Sequence, residues 1–216
     1  MTGLLAAVCR VHALLPDRGN GVTAIDKRPI TTSVRVSKYG LFADVQADRA
    51  HHGGVDQAVY AYAEEDAAVF AGELGREVPP GLFGENLTTR GVDVTGAVIG
   101  ERWRVGAKLL LEVTSPRTPC GTFERRMGLA GWQDRFREHG APGAYFRVLR
   151  AGVIRQGDAI EVVERPDHGV TIGGWFQRQH PDDAAALLDA HTTGAVRLHE
   201  HLLGHVERSL RIAARA

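Results

Sequence analysis

The residues best suited to chemistry lie in Thr114-Ser115-Pro116-Arg117-Thr118-Pro119-Cys120-Gly121. An apolar run, Leu109-Leu110-Leu111, leads straight into this loop. Pro116 and Pro119 each fix a φ angle, so the loop is stiff. Cys120 precedes a predicted helix that begins near Thr122. A thiol in that position is stabilised as thiolate by unsatisfied N–H groups, and Arg117 adds to the effect. Thiolate is a soft ligand suited to a heavy transition metal. A buried, inert cysteine is the other reading of the same residues. Cys9, inside an apolar strand, reads as packing.

Two further clusters carry polar groups beside glycine. His51-His52-Gly53-Gly54-Val55-Asp56 joins two predicted strands. Its paired glycines permit positive φ and close approach of a ligand to the backbone. His52 could donate to an anion, and Asp56 could orient His52 or cap the turn. Phe83-Gly84-Glu85-Asn86-Leu87-Thr88-Thr89-Arg90 gathers amide, hydroxyl and guanidinium groups, an inventory that suits a heterocycle with many donors and acceptors. Each cluster, taken alone, also reads as an ordinary polar turn. In the C-terminal segment His201 and His205 share a helix face at i, i+4 without a third ligand, which reads as a solvated or packing face. The chain contains no P-loop, GxGxxG, CxxC or GxSxG motif.

The elements that position these groups are mostly short strands. Strands are predicted over 5–15, 33–38, 58–62, 86–90, 101–105, 108–114, 144–149 and 159–164, many separated by glycine turns. Such spacing suggests a barrel or a rolled sheet. Two helical regions interrupt them. Glu64 to Leu74 carries acids in its first turn and Gly75 as a C-cap. Thr122 to about Glu138 is broken near Gly128 and Gly131, with Phe123, Met127, Trp132 and Phe136 facing the barrel. After Arg165-Pro166 three helices follow, over 172–179, 182–190 and 195–213, with Pro181 in a first-turn position. The chain therefore divides into a β-barrel domain, 1–165, and a small three-helix domain, 166–216. Such short helices must pack on each other and the barrel, or on a second copy in a homodimer.

Composition narrows the partners. The 26 basic and 26 acidic residues balance, so no long-range field exists to gather nucleic acid or an anionic membrane. No stretch approaches the ~18 apolar residues of a membrane span, and the N-terminal apolar run is interrupted by Arg10 and His12 and does not read as a signal peptide. Two cysteines and no secreted scaffold fit reduced thiols in a cytoplasm.

In order and spacing, His52-Gly53-Gly54-x-Asp56, Phe83-Gly84-Glu85-Asn86-Leu87 and Arg117-x-Pro119-Cys120 resemble the MOSC family. Ala24-Ile25-Asp26-Lys27-Arg28-Pro29, Gly143-Ala144-Tyr145-Phe146-Arg147-Val148 and Gly157-Asp158 are similar too. The appended helices point to its YiiM-like subgroup. The resemblance implies a mostly β fold with helices, a MOSC-type β-barrel followed by a small three-helix domain. It implies molybdenum cofactor (molybdopterin), with Cys120 as metal ligand and catalytic residue. Lys27, His52, Asn86, Thr88, Arg117 and Thr118 are then the cofactor-binding groups. It further implies reduction of N-hydroxylated small molecules such as hydroxylaminopurines. No flavin or nicotinamide motif is visible, so a separate reductase must donate electrons. The same residues also suit a sulfur carrier or transferase with a persulfide on Cys120, or a non-catalytic cofactor-binding protein. In two places the chain departs from the family: Ala43 stands where relatives often have glycine, and Gln57 where a basic residue is common.

Overall fold

A computed structural model describes residues 2–19, 21–47 and 53–215. In chain order the elements are β1 (Thr2–Asp17), β2 (Gly21–Pro29), β3 (Val34–Ser37), β4 (Gly40–Leu41), β5 (Val59–Ala63), α1 (Glu64–Leu74), β6 (Leu87–Arg90), β7 (Arg102–Val105) and β8 (Leu109–Pro116). Then come α2 (Gly121–Met127), α3 (Trp132–His139), β9 (Ala144–Arg150), β10 (Gly152–Ile154), β11 (Ala159–Glu164), α4 (Ile172–Arg178), α5 (Pro181–Thr192) and α6 (Glu200–Ala213).

Seven strands close a barrel in the order β11-β7-β8-β9-β5-β6-β1, sealed by antiparallel pairing of β1 with β11. The fold is thus mostly β with helices, as the spacing of turns implies. Among the described strands only β5 and β6 run parallel, and α1 supplies the crossover that such a pair needs. Long β1 does two jobs. Its first half closes the barrel, and its second half leaves it as a ribbon with β2, from Cys9 opposite Pro29 to Asp17 opposite Gly21. Among the described residues, no helix is long and apolar enough to cross a membrane.

Strand alternation builds two apolar clusters. Val59 and Ala61 of β5 join Trp103, Leu111 and Phe146 in the barrel core. Tyr60 and Tyr62, on the opposite face of β5, join Phe70 of α1, Phe83, and Phe123, Met127, Trp132 and Phe136 of α2 and α3. Each large side chain so buried stabilises by roughly 1.5–3 kcal/mol. This second cluster clamps α2 and α3 to the barrel wall. Two ion pairs finish the placement of α2. Arg125 holds Asp17 of β1 at 2.6 Å, and Arg126 holds Asp26 of β2 at 2.7 Å.

The tail packs on itself and on the barrel. Val170, Ile172, Trp175, Leu187, Val196, Leu198, Leu202 and Val206 share one cluster with Val94, Ala97 and Ile99. Backbone bonds from Ile172 N–H to the Ala97 carbonyl, 2.9 Å, and from Ile99 N–H to the Val170 carbonyl, 3.1 Å, stitch the junction. The last helix starts five residues later than predicted. Residues 195–199 stay outside the helix because Val196 and Leu198 enter the core while Arg197 pairs with Asp56.

Strands β2, β4 and β10 have no counterpart in the predicted strands. The inward positions of β2 are Ala24 and Asp26, and burial of Asp26 is tolerated only because Arg28 and Arg126 reach it. Although burial pushes that carboxyl up, these two guanidiniums hold it below its ordinary value. β4 and β10 are too short to show a period.

Ala43 has φ 60°, in a turn closed by the Asp44 N–H on the Leu41 carbonyl at 3.0 Å. A non-glycine residue there costs about 1–2 kcal/mol, partly offset by the greater unfolded-state entropy of glycine. Ala43→Gly is therefore expected to stabilise by about 1 kcal/mol and raise Tm by about 2–4 °C. Calorimetry showing an unchanged or lower Tm would contradict the strain.

Candidate functional site

A pocket of about 810 Å³, counting its open mouth, lies where the β1–β2 ribbon meets the barrel. Its walls come from five segments: 22–27 of β2, 44–47, 57–60 entering β5, Gly84 and Asn86, and 117–122 entering α2; Tyr145 of β9 completes it. Strand β8 delivers the chain into the 117–122 loop, as expected from its apolar run. Cys120 is the N-cap of α2, with φ −135° and ψ 170°, and its carbonyl accepts the Glu124 N–H at 3.0 Å. The thiol is half-buried in the pocket wall. Because α2 has only seven residues, its dipole is a small source of positive potential.

Arg117 is the larger source. It is 7% exposed, and its guanidinium lies 3.9 Å from the centroid of the Phe123 ring and 5.1 Å from that of Tyr60, while donating to the Phe83 carbonyl. Cation–π contacts and that carbonyl replace the water it lost. Among the described residues no carboxylate pairs with it, and it is close enough to Cys120 for their charges to couple.

Lys27 also lines the pocket, but its ammonium is paired with Asp44, and both side chains are about nine-tenths buried. The pair cancels, so Arg117 supplies the net positive charge of the described lining. Asn86 reaches the wall with its amide already engaged. Its Nδ2 donates to Asp44 at 2.8 Å and to the Cys9 carbonyl at 3.3 Å, and its Oδ1 accepts the Tyr60 N–H at 3.2 Å. It therefore shapes the site by tying β1, β5 and the 44–47 segment together.

One expected contact falls elsewhere. Thr88 does not line the pocket: it is buried in β6 and donates to Glu85 at 3.1 Å. His52 lies outside the described residues. Thr118 is exposed at the rim. Asp56 turns away from the pocket to Arg147, at 3.3 Å, and Arg197, joining barrel to tail. His201 and His205 are exposed, and no cluster of three or more metal-ligating side chains occurs among the described residues.

Glu85 organises the Phe83–Arg90 segment. Its buried carboxylate accepts the Gly81 and Phe83 N–H groups and the Thr88 hydroxyl. Burial raises its pKa, and those donors oppose the rise. Gly81 and Gly84 have φ +86° and +80°, and a Cβ on Gly81 would lie 2.4 Å from the Lys27 carbonyl. Only glycine lets this loop lie against β2.

Asp44 and Gln46 were not singled out from the sequence as site residues, while Gln57 entered only as a departure from the family pattern and Tyr145 only within the Gly143–Val148 stretch of the resemblance. Gln57 Oε1 is buried without a hydrogen-bond partner, and among the described residues neither the Thr118 hydroxyl nor the Tyr145 hydroxyl is engaged by the protein. Gln46 clamps the Gly53–Gln57 turn, accepting the Gly54 N–H at 2.9 Å. Among the described residues the pocket thus offers one thiol, one buried cation that no carboxylate pairs and several polar ends that lack protein partners.

The MOSC domain family model matches residues 48–161. Uncharacterized protein YflK of Bacillus subtilis is 32% identical over 150 residues, covering 69% of this chain and 67% of that protein. A protein of Gibberella moniliformis named Reductase is 32% identical over 151 residues, covering 68% of this chain but only 27% of its own length. The crystal structure of YiiM from Geobacillus stearothermophilus superposes with a TM-score of 0.77 at 26% identity, covering 96% of this chain and 99% of that one.

Proposed function

Since this chain belongs to the MOSC domain family, we propose that it holds a molybdenum–pterin cofactor in the Cys120 pocket and reduces N-hydroxylated compounds, such as hydroxylaminopurines, to amines. The observation that carries the reading is the pairing of a lone wall thiol with Arg117 and unengaged polar groups in one pocket. That donor set fits the group. A single soft thiolate completes the coordination of a metal that arrives with its own sulfur ligands. The Gln57 amide and the Thr118 hydroxyl suit a heterocycle with many hydrogen-bonding edges, and Arg117 suits an anionic group.

When bound, the cofactor supplies two-electron redox chemistry at molybdenum. The chain's own residues bind and orient. Cys120 would ligate the metal, Arg117 would offset negative charge from within a low-dielectric wall, and the Lys27–Asp44–Asn86 network holds the pocket lining in place. Electrons come from a separate reductase. The fungal relative named Reductase supports the reaction class, although this chain spans about a quarter of its length.

Turnover of a hydroxylaminopurine with dithionite-reduced viologen tests the reading. Amine formation by cofactor-loaded protein is the expected result. Loaded protein without turnover would leave a non-catalytic cofactor-binding protein.

A further inference from the structure

We propose that Tyr145 is a catalytic residue, the acid that protonates the oxygen departing from the substrate; this role rests on the reductase reading above. The residue is held rigidly. Its backbone pairs with Tyr60 of β5 and Ser115 of β8, and its carbonyl accepts the Thr114 hydroxyl at 3.0 Å. Its ring lies 5.0 Å from that of Tyr60. Of the neighbouring tyrosines, Tyr60 donates to the Pro142 carbonyl at 2.8 Å and Tyr62 to the Ala141 carbonyl at 3.0 Å. Tyr145 is half-buried, and among the described residues its hydroxyl has no such partner and lines the same pocket as Cys120. A rigid ring with an unengaged donor aimed at no protein group is what a substrate oxygen requires.

The charges around it suit the task. A phenol carries its proton at neutral pH, and Arg117 lines the same pocket. Arg117 would also stabilise the phenolate left after transfer. The reaction balances. The N–O bond of R–NHOH breaks, and two electrons enter from an external flavin or iron–sulfur reductase, or from reduced viologen in the assay. Two protons are consumed, and the products are R–NH2 and water. Tyr145 gives one proton to the leaving oxygen and recovers it from solvent through the pocket mouth. The other reaches nitrogen from solvent.

Tyr145→Phe removes only the hydroxyl. With a hydroxylaminopurine and reduced viologen, kcat should fall about a hundredfold, while KM and bound pterin stay at wild-type levels. The variant must take its proton from hydronium ion, so its kcat should fall about tenfold for each unit of rising pH, where wild type is nearly flat. Wild-type kcat and pH profile in the variant would overturn the assignment and leave the reductase reading standing. Equal losses of pterin and activity would assign Tyr145 a structural role and also overturn it. Loaded wild-type protein that turns over no N-hydroxylated substrate would overturn both readings.

Discussion

Cys120→Ser should purify as folded protein and show hydroxylamine reduction lowered by more than about a hundredfold. Serine keeps the size of the side chain and is a favoured N-cap, so α2 should remain seated on Asp17 and Asp26. The exchange replaces a soft sulfur with a hard, poorly ionised oxygen. Changes one shell further from a metal typically cost 10–100-fold, and loss of the ligand itself should exceed that. Cys9→Ser is the matched control. Cys9 is wholly buried, and burial together with the nearby Glu85 carboxylate pushes its thiol up to about 12. It should affect activity little. Steady-state rates and circular dichroism on both variants decide the matter, and wild-type activity in Cys120→Ser would remove this thiol from the mechanism.

Arg117→Ala should have the second largest effect, in two separable parts. The stability part comes from the stack on Phe123 and Tyr60, about 0.5–2 kcal/mol for each contact, and from the Phe83 carbonyl left unpaired, about 1–3 kcal/mol. The binding part comes from losing the net cation of the described lining. A charge-assisted hydrogen bond contributes about 1.5–3 kcal/mol, so pterin retention should weaken about tenfold or more. Arg117→Lys separates the two, because lysine keeps the charge and loses the planar stack. Pterin is measured by oxidation to its fluorescent form, normalised to folded protein. A folded Arg117→Ala with full occupancy would mean that the anionic end of the ligand lies elsewhere.

Much of the barrel was legible because its strands alternate and its turns contain glycine. Helix α1 follows its first-turn acids and Gly75, and the glycines at 128 and 131 do divide α2 from α3. The β2 strand was not legible as a strand, since its inward Asp26 is rescued by Arg126 from a helix 100 residues later. The site shows the same division. Cys120, Arg117 and Asn86 stand out by type and spacing, Lys27 by the family resemblance, and all four line the pocket. Local sequence did not reveal that Asp44 would neutralise Lys27, that Asn86 would use its amide on Asp44 and on the backbones of Cys9 and Tyr60, or that Thr88 would point to Glu85. Tyr145 and Gln57 depend on strand direction: Asp56 turns outward to the tail, while the next residue, Gln57, lines the pocket.

The central claim is that the Cys120 pocket holds a molybdenum–pterin group. Its most direct test is elemental and pterin analysis of wild-type protein purified from a host that makes the cofactor. Molybdenum and pterin in equal amounts, close to one of each per folded chain, is the predicted result. Folded protein from such a host that carries neither, with extra sulfur on Cys120, would contradict the claim and assign the thiol to sulfur transfer.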